Sequence, residues 1–176
     1  MTKKIPQTSI IIAYYKKKQF FEETINSILN QTYSNFEVIL VYDDVDKGEL
    51  NFVIKILSRL PRYKIIINKK NIGAGLSRNK AIHFAKGQYV AFCDADDLWH
   101  KKKLEVQISF MMKKKINFCH TSYKIINYSG KILGYFKVVK QLNYHDLLKS
   151  CDIATSSVVI NKNLLRKGIF FSNFTT

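Results

Sequence analysis

Long apolar runs are missing from this chain. None approaches the ~20 residues that a membrane-spanning helix needs. Nothing at Met1-Thr-Lys-Lys resembles a secretion signal before the strand-like Ser9–Ala13 begins. The expectation is a cytoplasmic protein. Cysteine is scarce: Cys93, Cys119 and Cys151 are odd in number and far apart, and no two have metal-ligand spacing. Each reads as a reduced core residue. Low-complexity tracts and internal repeats are absent, which removes the disordered and repeat-array classes.

Negative charge is also in short supply. The sequence has 13 Asp and Glu against 29 Lys and Arg, a net charge of +16. Such a balance favours nucleic acid, an anionic membrane face or an anionic substrate. The lysines form runs at Lys16–Lys18, Lys69-Lys70, Lys101–Lys103 and Lys113–Lys115. These runs flank predicted elements and lack an RNA-binding aromatic signature, so nucleic acid is not an expected partner. A solvated lysine-rich surface is one reading. Peripheral contact with the anionic inner face of the cell membrane is the other.

Apolar residues are plentiful, at 47% of 176, enough for one domain with a sizeable core and a small appendage. Ser9–Ala13, Phe36–Val41, Tyr63–Ile67 and Tyr89–Cys93 are short apolar runs that read as strands. Helices are predicted over about 20–30, 49–60, 74–86 and 101–114. Their apolar residues recur at helical spacing: Phe21, Ile25, Ile28 and Leu29; Leu50, Val53, Ile54 and Leu57; Leu76, Ile82 and Ala85; Leu104, Ile108, Met111 and Met112. Pro61 and Gly87 close the second and third. Alternating strands and helices imply an α/β fold, a mostly parallel sheet with helices on both faces. After Ile116 the rhythm changes. Asn117–Ile126 and Lys131–Val139 read as a hairpin around Ser129-Gly130. Tyr144–Lys149 reads as a short helix, Ser157–Ile160 as a strand and Asn163–Lys167 as a helical turn.

Open parallel sheets bind ligands beyond the carboxyl ends of their strands. Charged stations fall after three consecutive strands: Asp43-Asp44, the loop and helix start with Arg78, and Asp94-Ala-Asp96. Each alone would pass for a solvated turn. A hard divalent cation commonly bridges carboxylates to a substrate phosphate, and Asp94 and Asp96 can both aim at one ion. Asp97 reads as a turn or capping residue. His83, His100 and His120 read as surface or packed residues.

Residues 7 to about 120 resemble a family 2 glycosyltransferase of the GT-A (Rossmann-like) fold. The resemblance is carried by Ser9–Tyr15, Glu22–Tyr33, Phe36–Asp44, Asn71–Ala81 and Gly87–Trp99, in that order. It implies a donor-binding GT-A domain over 1–120 and a partial acceptor-side region over 121–176. It implies a nucleotide-diphosphate sugar as donor, with a uridine-diphosphate sugar expected, and transfer with inversion to a saccharide or lipid-linked acceptor in surface polysaccharide synthesis. Ala13, Tyr15 and Asp43 or Asp44 would hold base and ribose. Arg78 would contact the nucleotide, Asp94 ribose or metal, and Asp96 a Mg²⁺ or Mn²⁺ ion on the diphosphate.

There are departures from the family pattern. Ala13-Tyr14-Tyr15-Lys16 stands where the family usually has Pro-x-Tyr-Asn. Tyr42-Asp43-Asp44-Val45 replaces Asp-Asp-Gly-Ser and leaves open which aspartate holds the base. The general base, often a Glu-Asp pair further on, has no counterpart; Asp146 and Asp152 lack its context. The aromatic ending at Phe170–Thr176 suggests a chain cut short. Two alternatives follow: a non-catalytic donor-binding module, and a nucleotidyltransferase, which would want a glycine-rich loop after strand one.

Overall fold

The computed structural model describes residues 6–138, 153–165 and 171. Among the described residues eight strands form two sheets. They are β1 (Thr8–Tyr14), β2 (Phe36–Tyr42), β3 (Tyr63–Ile67), β4 (Tyr89–Phe92), β5 (Phe118–Cys119), β6 (Tyr123–Ile126), β7 (Ile132–Phe136) and β8 (Val159–Asn161). The helices are α1 (Lys18–Leu29), α2 (Leu50–Leu57), α3 (Ala74–Phe84), α4 (Lys103–Lys114) and a single turn, α5 (Lys162–Leu165). The main sheet runs β3-β2-β1-β4-β8-β5. Its first four strands are parallel, and β8 is antiparallel to both β4 and β5. The fold is therefore the expected GT-A-type α/β sheet with a separate β6–β7 hairpin.

Strand side chains alternate between faces, and the core divides accordingly. Ile10, Ile12, Tyr14, Val38, Leu40 and Tyr42 pack against α1, α2 and α4. Ile11, Ile39, Val41, Val90 and Phe92 pack against Ala81 and Ile82 of α3. Both faces are covered, which is why β1 and β2 read as continuous apolar runs. β3 is an edge strand and is partly exposed.

Several expectations need correction. Met112 is exposed, because α4 turns Leu104, Gln107, Ile108 and Met111 inward; buried Gln107 donates from Nε2 to the Ser157 carbonyl at 3.0 Å. α3 stops at Phe84, where Ala85 turns extended to feed β4, and Leu76 is only half-buried. The strand expected over 117–126 is two strands, because its first part pairs with β8 and its second with β7. The helix expected over Tyr144–Lys149 lies outside the described residues, as does Cys151. Cys93 and Cys119 are free thiols. Among the described residues no helix is long and apolar enough to cross a membrane.

Gly87 sets how β4 enters the sheet. A Cβ there would lie 2.6 Å from the Ser9 nitrogen and 2.7 Å from the Thr8 carbonyl carbon. Only glycine lets the chain pass so close to the β1 backbone.

Candidate active site

β1 lies between β2 and β4, so the sheet's strand order reverses beside it. That is the switch point where parallel sheets open a crevice at their carboxyl ends. The ends are aligned, with Tyr14 level with Tyr42 and Tyr42 level with Ile67. Beyond Phe92 the chain continues along β1, with the Cys93 N–H on the Ile11 carbonyl at 3.0 Å. The rim thus collects Ala13–Lys17, Asp43-Asp44, Asn68 and Asp94–Asp97.

Asp43 is buried and ties two of these stations together. Its Oδ1 accepts from Asn68 Nδ2 at 2.8 Å and from the Ile72 N–H at 2.9 Å. Asn68 also donates to Ser77 Oγ at 3.1 Å and accepts from Lys80 Nζ at 2.6 Å. Asp43 therefore fixes the loop that leads into α3, and Gly73, with φ +84°, makes the turn into that helix. Asp44 is also buried. Its carboxylate accepts from the Asp46 N–H at 3.1 Å, and its carbonyl accepts from the Lys47 ammonium. Both aspartates stand at the rim, and each has a structural bond there.

Fixing α3 aims Arg78 across the crevice. Its guanidinium donates to Asp94 Oδ1 at 2.5 Å and lies 5.2 Å from the Phe171 ring centre. Phe171 is itself held through its backbone by Asn79, with two bonds of 2.9 Å. Asp96 faces the β1–α1 loop, where Lys17 Nζ sits 2.7 Å from its Oδ2. Asp97 lies beneath; burial pushes its carboxyl up, and a hydrogen bond from the Ser156 hydroxyl acts against that.

Two elements hold the acidic loop in place. Polar residues of α1, with Gln31 just beyond its end, support it from one side. Thr24 Oγ1 donates to the Ala95 carbonyl at 3.1 Å, Ser27 Oγ accepts the Trp99 N–H at 3.1 Å, and Gln31 Nε2 reaches the His100 carbonyl at 2.9 Å. Ser156, in a 3-10 turn before β8, holds the other side. Its Oγ accepts the Asp94 N–H at 2.9 Å and its carbonyl accepts the Trp99 indole at 3.1 Å.

The sequence-expected residues Asp43, Asp44, Arg78, Asp94 and Asp96 thus share one rim, with Ala13 half-buried and Tyr15 exposed beside them. Sequence reasoning missed Lys17, Asn68, Asn79 and Ser156. The i, i+3 spacing of Thr24 and Ser27 on one face of α1 was a usable signal for this support; Gln31, past the helix end, was not. Lys16 adds a local explanation for one departure. Its φ is +49°, in the left-handed region where asparagine is readily accommodated and most side chains are not.

Among the described residues no three His, Cys, Asp or Glu side chains gather to cage a metal. A hard cation riding on a diphosphate needs only one or two carboxylates. Asp94 and Asp96 fit that requirement, although each already faces a cation of the chain itself.

Residues 9–167 match the model of glycosyl transferase family 2. The chain belongs to this family. It is 39% identical over 157 residues to the Escherichia coli UDP-Glc:alpha-D-GlcNAc-diphosphoundecaprenol beta-1,3-glucosyltransferase WfgD, covering 89% of this chain and 61% of that one. It is 34% identical over 163 residues to the putative teichuronic acid biosynthesis glycosyltransferase TuaG of Bacillus subtilis, covering 92% of this chain and 65% of that one. The chain therefore spans less than two thirds of the length of these relatives. Staphylococcus aureus TarS 1-349, solved with UDP, superposes with a TM-score of 0.76 at 26% identity, over 95% of this chain and 50% of that one. The Pyrobaculum calidifontis mannosyltransferase solved with GDP-Man and Mn²⁺ has a TM-score of 0.72 at 16% identity, a likeness of fold.

Proposed function

We propose that the rim binds a nucleoside-diphosphate sugar, with a uridine-diphosphate sugar as donor, for inverting transfer to a saccharide or lipid-linked acceptor in surface polysaccharide synthesis. The observation that carries this reading is the gathering of Asp43, Arg78, Asp94 and Asp96 around the β1–β4 crevice of a family 2 fold. Relatives support the donor and acceptor classes: TarS was also solved with UDP-GlcNAc, and the Escherichia coli relative is named for UDP-glucose and a diphosphoundecaprenol acceptor.

In this reading Ala13–Tyr15 and the Asp43 or Asp44 carboxylate receive base and ribose. Asp94 orients Arg78, whose guanidinium faces the nucleotide. Asp96, with Asp94, would hold Mg²⁺ or Mn²⁺, which would neutralise charge building on the departing diphosphate. The acceptor oxygen forms its bond to the anomeric carbon as the bond to the diphosphate oxygen breaks, and its proton passes to a base. Asp146 and Asp152 lie outside the described residues, and no described carboxylate is assigned that role. Residues 1–120 would supply the donor side and 121–176 part of the acceptor side.

A second reading is a donor-binding module without transfer, since the site residues Asp43, Arg78, Asp94 and Asp96 are all assigned to the donor. Binding and transfer measured separately on the 176-residue chain distinguish the two. The donor site has its own test. Asp96→Asn should remove the gain in UDP affinity that Mn²⁺ gives and leave the circular dichroism unchanged. Arg78→Ala should weaken UDP binding roughly tenfold or more with or without metal, the scale of a lost charge-assisted bond. Metal-dependent affinity that survives Asp96→Asn would refute the assignment.

A further inference from the structure

Lys17 stands on the carboxylate assigned to the cation, 2.7 Å from Asp96 Oδ2. Its backbone begins α1, because its carbonyl accepts the Phe20 and Phe21 N–H groups at 3.0 Å. Its side chain makes no cap. The side chains of the pair are 43% and 34% exposed, and half-exposed ion pairs contribute little to stability. The fold therefore does not depend on this ammonium.

Its position has a consequence for ligands. An ammonium and a divalent cation cannot share one carboxylate oxygen without strong repulsion. A lysine carries a compact charge on a flexible stem and can move. Arg78 is not free in the same way: its side chain is 13% exposed and held between Asp94 and Phe171. The first turn of α1, directly after Lys17, contains no acidic residue, so the positive end of that helix also favours phosphate at this place.

We propose that Lys17 is the resident counter-ion of Asp96, which it releases for the donor's diphosphate when the divalent cation arrives. The cation and the nucleoside diphosphate then bind as a coupled pair. This rests on the reading of Asp96 as the cation's carboxylate. Coupling is reciprocal, so each ligand strengthens the other by the same factor.

The test is Mn²⁺ affinity, read from the free-ion electron paramagnetic resonance signal, on the 176-residue chain with and without UDP. Wild type, Lys17→Met and the control Lys18→Met are compared. In wild type, UDP should tighten Mn²⁺ binding by about tenfold, in the lower part of the usual range of coupling. Lys17→Met should bind Mn²⁺ alone about fivefold more tightly, a size set by the exposure of the pair. Its coupling to UDP should shrink by the same factor, and Lys18→Met should follow wild type. Unchanged donor-free affinity in Lys17→Met, with UDP-coupled and Asp96-dependent binding intact, overturns the role of Lys17 alone. No Mn²⁺ binding to wild type or Lys17→Met even with UDP overturns the cation reading and this proposal together. UDP binding that needs no metal and vanishes in Lys17→Met makes Lys17 a permanent substitute for the cation and also overturns the exchange.

Discussion

Lys16 turns the backbone left-handed between β1 and α1, at φ +49°. A lysine there bears a steric cost of about 1 kcal/mol that asparagine bears less of. Lys16→Asn should therefore raise stability by about 0.5–1 kcal/mol in urea denaturation; a loss would show that the lysine makes a compensating contact. Lys103 is a second residue in an uncomfortable place. Burial pushes its ammonium down to about 8, while the Trp99 ring at 4.2 Å and Gln107 Oε1 at 2.6 Å favour the charged form. Between pH 8 and 10.5 the unfolded chain then holds more protons than the folded one, so this group's contribution to stability rises with pH. Cys93 and Tyr14, both pushed up by burial, act oppositely once their unfolded forms ionise. The difference between wild type and Lys103→Met isolates the lysine. From pH 7.5 to 10 wild type should gain on the variant by ~1–3 kcal/mol, and a flat difference would contradict the burial of that charge. Asp43, Arg78, Asp94 and Asp96 were legible because each follows a readable strand or opens a readable helix. Lys17, Asn68, Asn79 and Ser156 were not. Their partners lie far along the chain, as in the bond from Asp94 to Ser156, and only the folded sheet brings them together.

Among the elements, β1, β2 and β4 were the most readable, because burial on both faces leaves a continuous apolar run. β3 read equally well, but its edge position did not; exposure depends on strand order, which one sequence does not encode locally. α4 was misjudged on one face because Gln107, a polar residue, finds a buried carbonyl partner, so the buried face runs through Leu104, Gln107, Ile108 and Met111 and leaves Met112 out. The junction of α3 with β4 offers a sharp test at this scale. Gly87→Ala would press a methyl group into the Ser9 and Thr8 backbone, which cannot rotate away, and should cost about 2–3 kcal/mol. Gly134→Ala is the contrast, since its added carbon meets only Ile125 Cδ1 at 3.8 Å; it should be near neutral. Equal midpoints for the two variants in chemical denaturation would mean that the close approach of β4 to β1 is wrong.

Over the whole molecule, the net charge of +16 is not spread evenly with respect to the rim. Lys16–Lys18 follows β1 and Lys69-Lys70 follows β3, both at carboxyl ends of the sheet, whereas Lys101–Lys103 and Lys113–Lys115 flank α4. Two of the four runs therefore lie at the carboxyl-end rim of the sheet, where positive charge would draw in the anionic donor proposed above. The hairpin and the segment from Ile153 to Leu165 contribute in different ways. β6 and β7 stand apart from the main sheet, while β8 joins it and places Ser156 under the acidic loop. The acidic loop at the rim is thus held in part by a residue far along the chain.

The most direct measurement is paramagnetic mapping: amide signals of the 176-residue chain recorded with UDP and substoichiometric Mn²⁺. Signals of Lys17, Asp44, Asp94 and Asp96 should broaden first, while those of Gly87 and Gln88 at the opposite end of β4 stay sharp. Broadening centred on Gly87 and Gln88, or none that requires UDP, would contradict a donor site at the β1–β4 crevice.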